Sequence, residues 1–224
     1  GAGARITLYH ARGAALLARA RAEIARLEDI FSLYRAGSAL SRLNRDGVLP
    51  APPFELLDCL SLCARVHRAS GGLFDPSVQP LWALYAETHG KGQGPGDAQI
   101  AAALARVGWR RVRYDSGEIR LHEGMALTLN GVAQGYVADR VAALLAGAGV
   151  RRALVYTGEI RTLGSPAGRA GWPVQLDNGP DLALAGRGLA TSAPLGTVFD
   201  AGGATGHILH PRTGRPVPAR WRLV

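Results

Sequence analysis

The apolar residues change period near residue 111, and that change narrows the folds open to this chain. Before it they recur at three- and four-residue steps; from it they recur at every second residue, apart from one later helical stretch. In residues 14–34, Leu17, Ala20, Ile24, Leu27, Phe31 and Tyr34 fall on one face of an expected long helix. The polar stretch 35–47 reads as irregular. A second helix is expected over 53–70, with Leu57, Leu60, Cys63 and Val66 inward and Gly71 and Gly72 closing it where a left-handed cap is cheapest. Residues 90–96 read as a loop and 97–107 as a short helix. Val112 with Tyr114, Ile119 with Leu121, and residues 126–129 then read as three strands. A bend at 130–135 leads into a helix carried by Val137, Val141, Leu144 and Leu145. A strand at 153–156 follows, with short β segments around Val174, Leu182, Leu189 and Ile208. Helices first and mixed strands afterwards imply an α+β fold, not a doubly wound sheet. No linker or repeat divides the chain, so residues 1–224 read as a single domain.

Composition removes some classes of function. No stretch approaches the roughly 18 apolar residues that cross a bilayer, so no membrane span is expected. The formal charge is +9, from 26 cationic residues of which only Lys91 is a lysine. Those cations are dispersed rather than clustered among aromatics, as a nucleic-acid binder would place them, so no nucleic-acid partner is expected. A basic surface suits an anionic ligand. Cys59 and Cys63 lie four apart on one helical face. Without a second Cys/His pair they read as core thiols rather than half of a zinc site.

Three stretches could carry chemistry. Residues 127–136, LTLNGVAQGY, take an expected strand into a helix through a bend holding Gly131 and Gly135. Such a bend can present unpaired N–H groups and the positive helix end to a phosphate. Equally, Asn130 can simply cap the helix while the glycines ease packing. The stretch matches neither the dinucleotide fingerprint nor the Walker loop. In residues 71–81, Asp75 before Pro76 can serve a ligand or merely build a turn. His207 and His210 fall in an expected strand; on one face of it they could serve a ligand or a phosphate, although such pairs are more often structural. No Ser-His-Asp, Cys-His or HExxH arrangement is recognisable from spacing.

Taken in order, these stretches resemble the ApbE family, the FAD:protein FMN transferases, along nearly the whole chain. FSLYR at 31–35 and SALSRLN at 38–44 are similar to that family's early loop. GLFDPSVQPL at 72–81 resembles its G-x-F-D signature, and LNGVAQGYVAD at 129–139 its L-G-G-I-A-K-G-Y-x-x-D bend and helix. TGEIR at 157–161, ATSA at 190–193 and HILHPRTGRPV at 207–217 resemble its G-G-D-I-R, S-T-S-G and H-x-x-D-P-x-T-G-x-P-V elements.

The resemblance implies FAD and magnesium (Mg2+) as cofactors. It also implies transfer of FMN to a Ser or Thr of a target flavoprotein, with release of AMP, in a bacterial periplasm. It places Tyr34 against the flavin and Leu84, Tyr85 and Ala86 along the adenine region. Thr128 and Gln134 would contact the cofactor near the bend, and Leu209 would close the pocket. Gly131 would offer its carbonyl to Mg2+, a hard ion that prefers oxygen, and His207 would transfer the proton. Gln134 stands where the family often has Lys, and that Gln resembles a subgroup linked to nitrous-oxide reductase maturation. Thr128 and His210 stand where Asp is common, and Thr157 and Glu159 alter G-G-D to T-G-E. The chain stops at Val224, before the segment that supplies the family's carboxylate and hydroxyl ligands to the ion, so an incomplete metal site is expected. Two further outcomes stay open: a protein that binds and delivers FAD without cutting it, and an FAD pyrophosphatase.

Overall fold

A computed structural model describes residues 3–176 and 179–220. In chain order these form β1 (Arg5–Leu8), α1 (Gly13–Phe31), α2 (Ala39–Asp46), β2 (Val48–Pro50), α3 (Phe54–Ala69), α4 (Gln79–Gly90) and α5 (Asp97–Leu104). They continue with β3 (Arg113–Tyr114), β4 (Glu118–Arg120), α6 (Ala133–Gly147), β5 (Ala153–Tyr156), β6 (Ile160–Leu163), β7 (Trp172–Gln175), β8 (Asp181–Leu184) and β9 (Gly188–Leu189). The chain divides into two units, Gly1–Leu27 with Val132–Ala190, and Glu28–Gly131 with Thr191–Val224.

The first unit is built on an antiparallel sheet in the order β1-β5-β6-β9. Strand β5 lies between β1 and β6, pairing Ala153 with Leu8 on one side and with Leu163 on the other. Its alternation is clean: Ala153 and Val155 are fully buried and Tyr156 is not. Helix α6 packs on β5 and β6, turning inward the stripe Val137, Val141 and Leu145, spaced four apart. β7 and β8 form a separate two-stranded ribbon.

In the second unit, β2, β4 and β3 make a small sheet with β4 in the centre. Helices α4 and α5 pack together around Leu81, Tyr85, Ile100, Ala103 and Leu209. Phe199 joins that cluster, its ring 5.4 Å from Tyr85 and 5.5 Å from Trp82. Cys59 and Cys63 are free and fully buried on α3, as the core reading expected. Their mutual hydrogen bond, reinforced by burial, holds the Cys59 thiol far above the usual range, so it stays protonated.

Three expectations are corrected here, and one helix is found where none was expected. The long helix stops at Phe31 instead of reaching Tyr34, because Ser32 Oγ accepts hydrogen bonds from the N–H groups of Tyr34 (3.0 Å) and Arg35 (3.1 Å). The stretch read as irregular holds α2: Ser38 caps its start by accepting from Ser41 N–H at 3.0 Å, and Gly47 ends it with φ +70°. Residues 79–90 hold α4, with Pro80 in the first turn, where a missing N–H costs nothing. Residues 126–129 belong to no sheet. Met125, Leu127 and Leu129 are buried at every second position, but the Leu127 main chain bonds the Asn44 amide (2.7 and 2.8 Å), and Thr128 N–H bonds the Pro76 carbonyl (2.8 Å). A side chain takes the place of a partner strand.

Candidate functional site

A cavity of about 1100 Å³ opens in the second unit, between the 33–47 segment, α4, α5 and the 121–126 segment. Tyr34 and Leu84 line it, with Asn44, Gln79, Arg106 and Met125. Pockets for small organic ligands run to roughly 300–1,000 Å³, so this one is large enough for a dinucleotide. Tyr34 is 84% exposed, with its main chain pinned by Ser32, so its ring offers an apolar face to a ligand at little entropic cost. Arg106 and Arg45 supply positive charge, against Glu87, Glu123 and Asp46, and Asp46 already pairs with Arg45 at 2.8 Å.

Other residues assigned to the cofactor lie elsewhere in the same unit. Tyr85 turns inward, 4% exposed and stacked on Phe199 and His89. The carbonyls of Leu84 and Tyr85 accept from Thr88 Oγ1 at 2.8 and 3.3 Å, so at Leu84 it is the side chain that faces the cavity. Ala86 is half-buried on α4. Thr128 Oγ1 accepts from Asn130 N–H at 3.3 Å. Leu209 is buried in the α4–α5 core and bridges Pro216.

The histidines are three residues apart and meet no paired strand. His210 Nδ1 accepts from Arg212 N–H at 3.2 Å and shapes a turn. His207 Nδ1 lies 3.0 Å from the Thr197 carbonyl. A carbonyl can only accept, so Nδ1 carries the hydrogen and Nε2 keeps its lone pair as a potential base. Upstream, Asp200 accepts from the N–H groups of Ala204 and Thr205, which holds its carboxyl below the ordinary carboxylate range.

The bend at 130–136 straddles the division between the units. On the second-unit side, Gly131 is exposed, and a Cβ there would meet Phe74 Cε2 at 3.2 Å. Asn130 does not cap the helix: Val132 occupies that position, without a side-chain bond. On the first-unit side, Gln134 sits in the opening turn of α6. Its carbonyl accepts from Thr157 Oγ1 at 2.9 Å, and its amide lies over Gly158, where a Cβ would fall 2.3 Å from Nε2. Gly158, with φ +101°, is therefore favoured by its backbone conformation, and a Cβ there would push the Gln134 side-chain end aside.

Asp75 resolves to the turn reading. Its Oδ1 accepts from Ser77 N–H (2.8 Å) and Ser77 Oγ, and its Oδ2 from Trp109 N–H (3.1 Å), while Ser77 Oγ accepts from Gly108 N–H (2.7 Å). The carboxylate is spent joining two loops. Sequence reasoning assigned no cavity role to Asn44, Gln79 or Arg106. The only signal for Asn44 was its place in the 38–44 stretch.

This is an α+β protein with a dinucleotide-sized cavity beside an exposed tyrosine. A profile described as the ApbE family matches residues 1–224, and the chain belongs to that family. Its fold is similar to three solved structures. The flavin transferase ApbE from Vibrio cholerae matches at TM-score 0.80 and 22% identity, over 100% of this chain and 77% of that one. The Pseudomonas stutzeri flavinyl transferase ApbE matches at 0.80 and 24%, over 97% and 77%. The ApbE protein from Thermotoga maritima matches at 0.83 and 23%, over 97% and 75%. A sequence search of curated proteins gave no match.

Proposed function

We propose that this protein is an FAD:protein FMN transferase, moving FMN from FAD to a Ser or Thr hydroxyl of a target flavoprotein. The observation that carries the reading is the cavity of about 1100 Å³ rimmed by exposed Tyr34, in a chain matched over its whole length by the ApbE profile. Tyr34 stacks on the isoalloxazine, and the Leu84 side chain supplies apolar wall further along. In the transfer, the acceptor oxygen forms a bond to the FMN phosphorus, the P–O bond to AMP breaks, and the acceptor proton passes to His207 Nε2.

Magnesium supplies charge neutralisation at the phosphates when bound. The described residues do not by themselves fit it, because no group of three His, Cys, Asp or Glu lies close enough to hold an ion, and one carbonyl at Gly131 is too few ligands. No step is therefore routed through the metal. Location in a periplasm belongs to this proposal through family resemblance alone; no described helix is long and apolar enough to cross a membrane.

A second reading, FAD binding without cleavage, is favoured by the neutral Gln134 and by that sparse ligand set. Mass spectrometry separates the two. Protein, FAD, Mg2+ and a flavoprotein acceptor are incubated, and the transferase reading predicts a gain of one FMN on a Ser or Thr together with free AMP. Bound FAD with no AMP released contradicts transfer and leaves the binding reading.

A further inference from the structure

A second cavity, of about 500 Å³, lies at the far end of α3 and takes no part in the flavin reading. It is lined by His67, Arg68, Gly72, Trp109, Arg110 and Val112, and no Asp or Glu is among its lining residues. The guanidinium groups of Arg68 and Arg110 have no hydrogen-bond or ion-pair partner among the described residues. They are not needed to cap α3 either. The carbonyls of Val66, His67 and Arg68 already accept from the N–H groups of Ser70 (2.9 Å), Gly72 (2.8 Å) and Gly71 (3.1 Å).

His67 has a fixed role. Its Nδ1 lies 2.8 Å from the Phe74 carbonyl, so that nitrogen donates and Nε2 is left for another partner. A Cβ at Gly72 would sit 3.5 Å from His67 Cε1, 3.7 Å from Nε2 and 3.9 Å from an Arg212 nitrogen, so the absent side chain leaves the imidazole edge open. Arg212 is itself anchored on the Gly71 carbonyl. Trp109 forms an aromatic wall, its ring centroid 6.4 Å from that of His67, and its main chain is tied down by Asp75 at 3.1 Å. Both Asp75 oxygens are engaged by Ser77 and Trp109, and that carboxylate forms no ion pair with Arg68 or Arg110.

We propose that this cavity is a binding site for a phosphate monoester, held by Arg68 and Arg110. Two unpaired guanidinium groups match a dianion in charge and in their forked donor geometry, which a monocarboxylate only half satisfies. The volume exceeds what a free phosphate fills, and Trp109 gives an organic substituent a wall to lie against.

The test is a calorimetric titration of the protein with inorganic phosphate and with phenyl phosphate at matched ionic strength, on the native chain and on a variant carrying Arg68→Gln and Arg110→Gln. Both side chains are exposed, so the variant keeps the fold, which circular dichroism checks. Loss of about tenfold or more in affinity for phenyl phosphate in the variant, with FAD binding unchanged, supports the site. Tighter binding of phenyl phosphate than of inorganic phosphate supports a site for monoesters, while equal affinities overturn that assignment in favour of the free ion. Equal binding by native and variant proteins, displacement of the probe by FAD, or no binding by the native protein overturns the proposal.

Discussion

Tyr34, His207 and Gly158 carry the most specific consequences at the scale of single residues. Tyr34 contributes a ring face and little else, because its main chain is fixed by Ser32. Replacing it with Ala is expected to weaken FAD binding about three- to tenfold while leaving the melting temperature unchanged, as equilibrium titration and thermal unfolding will show. His207 is held by the Thr197 carbonyl with its Nε2 free, so His207→Ala should slow FMN transfer about 10²- to 10⁴-fold without altering FAD affinity. A parallel loss of affinity would make it a binding residue instead. At Gly158 the geometry sets the cost: φ +101° and a Gln134 amide nitrogen 2.3 Å from the missing Cβ. Gly158→Ala should destabilise the protein by about 1–3 kcal/mol in denaturant unfolding and displace Gln134.

Between elements, side chains often do what a ladder or a cap does elsewhere. Asn44, from α2, closes both polar groups of the Leu127 main chain, which is fully buried. Asn44→Ala should therefore cost about 1–3 kcal/mol, measured by chemical denaturation. The 200–205 turn depends on pH in a defined direction. Asp200 is stabilised as the carboxylate by the Ala204 and Thr205 amides, so its folded pKa lies below its unfolded one. The turn's stabilisation is complete above the ordinary carboxylate range and is lost as pH falls through the lowered value. Protection factors for amide exchange at Ala204 and Thr205, taken against the intrinsic rate at each pH, should fall on acidification, and Asp200→Asn should remove that dependence.

How far these elements were legible follows from the same physics. The strand at 153–156 and the helix around Val137 and Val141 declare themselves, since burial on one face gives each a single period. Residues 126–129 have a strand's period without a strand's partner, because alternation reports burial and says nothing of who satisfies the backbone. Helix α2 was hidden because three buried positions, Ala39, Leu40 and Leu43, are too few to set a period. Its cap, Ser38, was the usable signal. At the site, Tyr34 and Leu84 line one cavity. The inward turn of Tyr85 depends on Phe199, over a hundred positions away, which no local pattern contains.

At the scale of the whole molecule, neither unit is one run of sequence, so each is held by residues far apart in the chain. A net charge of +9 adds a long-range pull on an anionic dinucleotide. We propose that the flavin occupies the cavity beside Tyr34. Titration of native and Tyr34→Ala protein with FAD, followed by flavin fluorescence, tests it most directly. The prediction is saturable quenching by the native protein and a clearly weaker, less quenched complex for the variant. Identical curves for the two proteins, or no change on mixing with the native one, would contradict it.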